Sequence, residues 1–373
     1  MSPPEPARIL LLIPHLGGGG AEHVVEILAR HLSPSKYDIH LALITASSHN
    51  SQRFPPCITI HQLHSSRVRN STSRLIRLIW RLRPHVILSG MAHLNLLVLL
   101  LRPLLPWKTR ILVRQNGALS ATLASHLTPR IARRVYSAAY RRAHRIICQT
   151  DAMALEIRNE LRVAPPNLLV LPNPINIQHI RRSASCSART EHSPRHRLLT
   201  IGRLVPEKGF DLLLDAFAAL PESFRSAELI IAGRGPQKSA LVQQAKALGI
   251  GDRVQFTGYI PDPALHFSAA SLYVLSSRTE GLPNAMLEAA AAGLPIVSTP
   301  ACAGIVDLLQ NREGVWLSND VSASALRVAL EEVLTAIQPG RRYQHAWIEP
   351  YDLSRAIPAY EATLDRAIAW SKP

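Results

Sequence analysis

Short apolar runs that alternate with helical stretches limit this chain to few folds. The runs Arg8–Pro14, Ile39–Ile44, Ile58–Leu63, Val86–Ser89, Ile111–Val113, Ile146–Gln149 and Leu168–Leu171 have strand length, and helical stretches separate them. Parallel strands need a crossover of this kind, so the pattern predicts a parallel sheet with helices on its faces. A second series follows: Leu198–Ile201, Leu229–Ala232, Val254–Thr257, Leu272–Leu275, Pro295–Ser298 and Val315–Leu317, with Phe210–Leu220 and Gln237–Leu248 as two of its helices. Between the series, residues 183–194 are rich in Ser, with Arg and Pro, and lack periodicity, as expected of a linker. At 373 residues the chain exceeds one compact core. The expectation is α/β: two doubly wound, Rossmann-like lobes facing across a cleft, the first over residues 1–182, a linker over 183–195 and the second over 196–351. Ligands of such sheets sit at strand C-termini, which makes the cleft the natural site.

Charge divides the chain the same way. Residues 1–197 carry 27 Lys/Arg against 8 Asp/Glu, a net +19, while residues 198–373 carry 15 against 18, a net −3. The first lobe therefore suits an anionic partner and the second does not. Two stretches concentrate that charge. Arg74, Arg77 and Arg81 share a face of Ser73–Arg83, and Arg130, Arg133, Arg134, Arg141 and Arg145 fall within about 120° of arc from Pro129 onward, interleaved with Tyr136 and Tyr140. Basic amphipathic stretches fit an anionic membrane surface, with a solvated face as the structural alternative. Leu94–Leu105 is the most apolar segment, but Arg102 and Pro103 break it and it falls short of the ~20 residues a span requires. Met1–Pro6 lacks the basic start of a signal peptide, and Ile9–Ile13 is too short for its apolar core. Cys57, Cys148, Cys186 and Cys302 form no CxxC or Cys/His pattern, which suits a reduced, cytoplasmic chain, and no metal site is expected.

Three loops carry candidate chemistry. Leu16–Glu22 places four glycines between a strand and a helix, where backbone N–H groups can approach an anion, although it completes neither the dinucleotide nor the P-loop fingerprint and a plain tight turn is the alternative. Gly202–Phe210 sets Arg203 and Lys208 at a strand end before a helix, a fork donor and a point charge able to pinch a diphosphate. In Ser276–Pro295, Glu280 and Glu288 bracket a helix expected to open at Gly281-Leu282-Pro283. A ligand at that helix end meets N–H donors and carboxylate acceptors together, the mixed demand of a sugar diphosphate. A capping Glu and a solvated Glu are the structural alternative.

Taken together, GGGGAE, GRLVPEKGFDLLLDAF, IIAGRGP, VQFTGYIPD and SSRTEGLPNAMLEAAAAGLPIVST resemble a retaining glycosyltransferase of the GT-B fold, family 4, over nearly the whole chain. The resemblance implies a nucleotide-diphosphate sugar donor, UDP being the commoner nucleotide, bound mainly by the second lobe, with the acceptor mainly on the first. It implies that Arg203 and Lys208 clamp the diphosphate, that Glu280 meets the donor sugar hydroxyls and Glu288 the ribose, with Gly281 and Leu282 beside them, and that Gly18 and Gly19 approach the phosphates. It further implies front-face attack with retention, and a final helix, within residues 352–373, crossing back to the first lobe. Two positions depart from the pattern. Arg114-Gln115-Asn116-Gly117 stands where relatives often carry a histidine, leaving His93 as a candidate near the reacting centre, and Asp307 stands where many carry Glu.

No cofactor or metal is expected, since two cations can neutralise the diphosphate and the sequence holds no Asp-x-Asp pair. The expected acceptor is a glycan or lipid-linked saccharide, met on the inner face of the membrane by a peripherally bound enzyme. The competing readings are a GT-B epimerase or hydrolase of nucleotide sugars, and a nucleic-acid-binding protein. The charge alone favours the last, and no RNA- or DNA-binding motif accompanies it.

Overall fold

The structure, a computed structural model, describes residues 5–17, 19–45, 54–65, 68–124, 128–187 and 195–369. Gly18 lies outside them, as does the expected linker over residues 188–194. The chain forms two compact units, residues 1–174 with 353–373, and residues 175–352.

Unit 1 holds strands β1 (Ala7–Ile13), β2 (Tyr37–Leu43), β3 (Thr59–Gln62), β4 (Val86–Ser89), β5 (Arg110–Arg114), β6 (Arg145–Cys148) and β7 (Leu168–Val170). They pair in parallel in the order β3-β2-β1-β4-β5-β6-β7. Its helices are α1 (Gly20–His31), α2 (Thr72–Leu82), α3 (Ala92–Leu100), α4 (Leu119–Ala124), α5 (Pro129–Tyr140) and α6 (Asp151–Leu161). Period-2 alternation sorts the core. Along β1, Leu10 and Leu12 join a cluster with Leu75, Leu94, Val98 and Ile157, while Ile9, Leu11 and Ile13 join one with Val24, Val25 and Leu28.

Unit 2 takes in helix α7 (Ile177–Ser187), β8 (Arg197–Ile201), α8 (Phe210–Ala218), β9 (Glu228–Ala232), α9 (Lys238–Ala247), β10 (Val254–Gly258), α10 (Ala264–Ala269), β11 (Leu272–Leu275), α11 (Asn284–Ala291), β12 (Ile296–Ser298), α12 (Ala303–Leu309), β13 (Val315–Leu317) and α13 (Ala323–Ala336). Its parallel sheet runs β10-β9-β8-β11-β12-β13. The expected doubly wound lobes are thus present.

The last helix, α14 (Leu353–Ala369), belongs to unit 1. Ile357, Tyr360, Leu364 and Ala367 form a stripe at helical spacing and enter the same cluster as β1 and α1. Polar contacts fix its register: Glu361 accepts from Ser33 N at 2.9 Å and from Lys36 Nζ at 2.9 Å, and Tyr37 Oη donates to Asp365 at 2.5 Å. Burial, and then the Asp365 carboxylate, push the Tyr37 phenol far above its usual range, so Tyr37 stays the donor in this bond.

Several boundaries differ from the sequence reading. Helix α7 extends through Ser183–Ser187, into the stretch expected as linker, because no proline interrupts it before Pro194. Helix α11 opens at Asn284 with Pro283 as its N-cap, later than the expected opening at Gly281-Leu282-Pro283, so Glu288 stands about one turn inside. Helix α5 ends at Tyr140, which puts Arg145 in β6, and Tyr136 and Tyr140 are buried among core residues rather than interleaved with the exposed arginines. Among the described residues no helix is long and apolar enough to cross a membrane.

Candidate active site

In each sheet the strand order reverses once, between β1 and β4 in unit 1 and between β8 and β11 in unit 2. Loops diverge at such a switch point and leave a crevice at the strand C-termini. The residues singled out by sequence collect at both.

In unit 2, the loop after β8 is held against the loop after β11. Gly209 has φ +60° and a Cβ there would stand 2.1 Å from Ser276 O, so only glycine lets these backbones meet. Ser276 Oγ donates to Lys208 O at 3.0 Å, and Arg278 N donates to Glu207 O at 2.8 Å. A fork of bonds from Arg278 to Asp211, at 2.7 and 2.5 Å, closes the outer side; the guanidinium holds the Asp211 carboxyl below its usual range. Gly233, at φ +148°, brings the loop after β9 onto Gly202, where a Cβ would fall 1.8 Å from the carbonyl oxygen. The backbone that presents Arg203 and Lys208 is therefore braced from two sides.

Within that frame Lys208 Nζ donates to Glu280 Oε1, which also accepts from Ser277 Oγ at 2.6 Å. Ser277 is buried, and its carbonyl accepts from Thr299 Oγ1 at 2.6 Å. Glu280 thus keeps a fixed orientation. Glu288 stands on α11, the helix that follows this loop, and after burial the charges of Glu280 and Glu288 raise the Tyr273 phenol on β11. Gly281 and Leu282 are buried ahead of α11. Arg203 is exposed at the end of β8 and has no ion-pair partner among the described residues. The sequence reading missed Ser277 and Asp211, since a serine beside a strand end and an acid on a helix face carry no spacing signal.

In unit 1, a cavity of about 470 Å³ opens at the ends of β1, β2 and β4, lined by Pro14, His15, Ile44, Thr45, Val68, Arg69, Met91 and His93. His93 lowers its proton affinity through desolvation first and the neighbouring His15 second, so it is neutral at neutral pH and can accept a hydrogen bond. His15 Nδ1 lies 3.6 Å from the buried carboxylate of Glu22. That carboxylate also crowds Gly19, where a Cβ would stand 2.3 Å from Glu22 Oε2, so an acid already sits on the N-terminal end of α1.

The Arg114–Gly117 turn is built into the core. Arg114 is fully buried and donates to Tyr360 Oη at 3.2 Å, to Asn116 Oδ1 and to Asn173 Oδ1, which ties α14 to the strand ends. Gln115 accepts from Tyr140 Oη at 3.0 Å and donates to Gly117 O at 2.8 Å. Neither faces the cavity.

The architecture matches known proteins over nearly the whole chain. The structure superposes with a TM-score of 0.81 on the sucrose-phosphate synthase of Thermosynechococcus elongatus, at 17% identity, covering 98% of this chain and 100% of that one. It superposes with a TM-score of 0.78 on Anabaena HepE in complex with UDP and glucose, at 17% identity, covering 96% and 100%. The class is an α/β protein of the GT-B fold. Residues 19–174 match the glycosyl transferase 4-like domain and residues 188–349 match glycosyl transferases group 1. With most of its length accounted for by these two models, the chain belongs to the GT-B glycosyltransferases of the family 4 type. Among curated relatives, an uncharacterized glycosyltransferase of Haemophilus influenzae is 33% identical over 151 residues, 40% of this chain and 41% of that protein. The 2-deoxystreptamine N-acetyl-D-glucosaminyltransferase of Niallia circulans is 26% identical over 199 residues, 52% of this chain and 51% of that protein. The chain thus spans about half or less of the length of these relatives.

Proposed function

We propose that the protein transfers a hexosyl or N-acetylhexosaminyl group, with retention, from a nucleotide-diphosphate sugar to a hydroxyl of a glycan or lipid-linked saccharide. The observation that carries this is the braced Lys208–Glu280 pair at the unit 2 switch point, with Arg203 free to turn toward a ligand and Glu288 on the helix that follows. The fold-mate crystallised with UDP and glucose favours a UDP-sugar, and the N-acetylglucosaminyltransferase among the relatives favours an N-acetylhexosaminyl group.

In this mechanism the diphosphate lies against Arg203 and Lys208, and negative charge grows on it as the glycosidic C–O bond breaks. Lys208, already in place, stabilises that charge with little reorganisation once Arg203 has turned in beside it. Two cations suffice without a metal. Glu280, fixed by Ser277 and Lys208, orients the sugar hydroxyls, and Glu288 takes the ribose. The acceptor occupies the unit 1 cavity beside His93. The direct test is stabilisation by nucleoside diphosphates: UDP at 100 times its Kd should add about 2.7 kcal/mol. No stabilisation by any nucleoside diphosphate removes the donor site.

The same proposal places unit 1 on the anionic inner face of a membrane, as a peripheral, cytoplasmic enzyme. Residues 39–150 contain 17 Lys/Arg and no Asp or Glu. Trp80, Leu104 and Trp107 are exposed among them; Trp80 Nε1 donates to Leu104 O at 2.9 Å, and Lys108 lies 5.2 Å over the Trp107 ring. Indole rings beside cations suit the bilayer interface better than a nucleic acid, whose binding needs no exposed Leu.

A further inference from the structure

We propose that the unit 1 cavity selects an acceptor bearing an anionic group, carboxylate or phosphate, and that Arg69 is the residue that reads it. This rests on the transferase reading above and specifies its acceptor.

The cavity stands at the point where β1 has β2 on one side and β4 on the other, which is where an open parallel sheet receives a ligand. Its volume, about 470 Å³, lies within the usual range of small-molecule sites. The wall is divided by chemistry. Ile44, Val68 and Met91 present apolar surface suited to the C–H face of a sugar ring, while Thr45, His15 and His93 offer hydrogen bonds to hydroxyls.

Among the described residues, Arg69 is the one full cation in that wall. It is exposed, and no ion pair engages its guanidinium among the described residues. Sequence explains why: from residue 39 to residue 150 there is no carboxylate to neutralise it. The nearby acid of this lobe, Glu22, is held by His15 and by the N-terminal turn of α1. An unpaired guanidinium at a cavity mouth presents a planar fork, which matches carboxylate and phosphate oxygens two at a time. A neutral acceptor would leave that fork facing only water. His93 is neutral at neutral pH and His15 lies against the Glu22 carboxylate, so the directional contact to an anion falls to Arg69.

The experiment uses the full chain with UDP present and three probes of one ring type: methyl glucoside, methyl glucuronoside and glucose 6-phosphate. Ligand-observed NMR gives their affinities for the unmodified protein, Arg69→Gln and Arg69→Lys. The expected result is an anionic probe bound about tenfold or more tighter than methyl glucoside, the effect of one charge-assisted contact. Preference for the glucuronoside or for the phosphate identifies which anion the acceptor carries. Arg69→Gln should bring that probe to the level of the neutral one and leave UDP affinity unchanged, while Arg69→Lys should keep part of the preference. Equal binding of charged and neutral probes, or a preference that survives Arg69→Gln, overturns the proposal. So does a loss of UDP affinity in Arg69→Gln comparable to that in Arg203→Ala, which would assign Arg69 to the donor. Failure of the unmodified protein to bind UDP would instead remove the transferase reading, a separate measurement from the probe ratio.

Discussion

The two switch points share a topology and differ in how their charges are settled. In unit 2 the key cation and carboxylate are already paired, and three loops are joined by backbone contacts that only glycine permits. In unit 1 the equivalent place is an open cavity whose cation, Arg69, is in no ion pair among the described residues. A pair fixed before binding, as Lys208 and Glu280 are, can stabilise charge that appears during a reaction with little reorganisation, while the exposed Arg203 beside it has still to turn in. A site with an unspent charge does the opposite work, attracting a partner that brings the counter-charge.

The contrast is tested most severely at the pair itself. Lys208→Ala and Glu280→Gln should each lower kcat/KM by about 10²–10³, a typical loss when one preorganised electrostatic group is removed. Glu280→Gln should act mainly on kcat, whereas Glu288→Gln should raise the donor KM. Free-nucleotide affinity that fell for Glu280→Gln and held for Glu288→Gln would exchange their roles.

A second effect belongs to the scaffold. Gly233→Ala forces a side chain into the Gly202 carbonyl and should destabilise unit 2 by roughly 2–4 kcal/mol, with unit 1 unchanged. Hydrogen exchange resolved by segment would check this, and uniform loss across both units would contradict their separation.

Membrane partitioning gives a smaller effect. Trp80→Ser or Trp107→Ser should weaken binding to anionic liposomes roughly tenfold, the worth of one large apolar side chain. Salt should reverse binding as the Debye length shortens from about 10 Å at 0.1 M to 3 Å at 1 M. Equal recovery on neutral and anionic liposomes, together with tight RNA binding, would refute the membrane proposal.

Acid should separate the units least, but in a set direction. His144 in unit 1 is lowered to about 4, chiefly by desolvation and then by Arg110, and His31, His61 and His93 are lowered as well. In unit 2 the lowered histidines are His196 and His345. An unfolded histidine takes its proton near pH 6.5 while these stay neutral in the fold, so stability is present above that pH and declines as pH falls. After allowance for partial solvent exposure, His144 contributes on the order of 1 kcal/mol of loss by about pH 5. Limited proteolysis at pH 7 and pH 5 should open unit 1 first; earlier cleavage of unit 2 would reverse the order.

Much of this was legible in the residues. Strands of a parallel sheet are buried on both faces and read as unbroken apolar runs, so Ile9–Ile13 and Leu272–Leu275 stood out. Arg203, Lys208, Glu280 and Glu288 were visible because glycine and proline punctuate their loops. The end of α5 was not, since Arg141-Arg142-Ala143-His144 turns the chain without either residue and leaves the basic periodicity apparently unbroken into β6. The unit 1 cavity had no sequence signature at all: its wall comes from four segments between Pro14 and His93, brought together only by strand order.

The return of α14 also bears on how the molecule is made. Unit 2 is contiguous in sequence, whereas unit 1 needs residues from both sides of it. Domains fold as units while the chain emerges from the ribosome, so the usual first-made, first-finished order is inverted here. Strand β1 and helix α1 are synthesised long before α14, yet the part of their cluster that Ile357, Tyr360 and Leu364 complete stays open until unit 2 and then α14 have been made. Throughout that interval the nascent first half carries an unfinished apolar cluster beside a strongly cationic sequence.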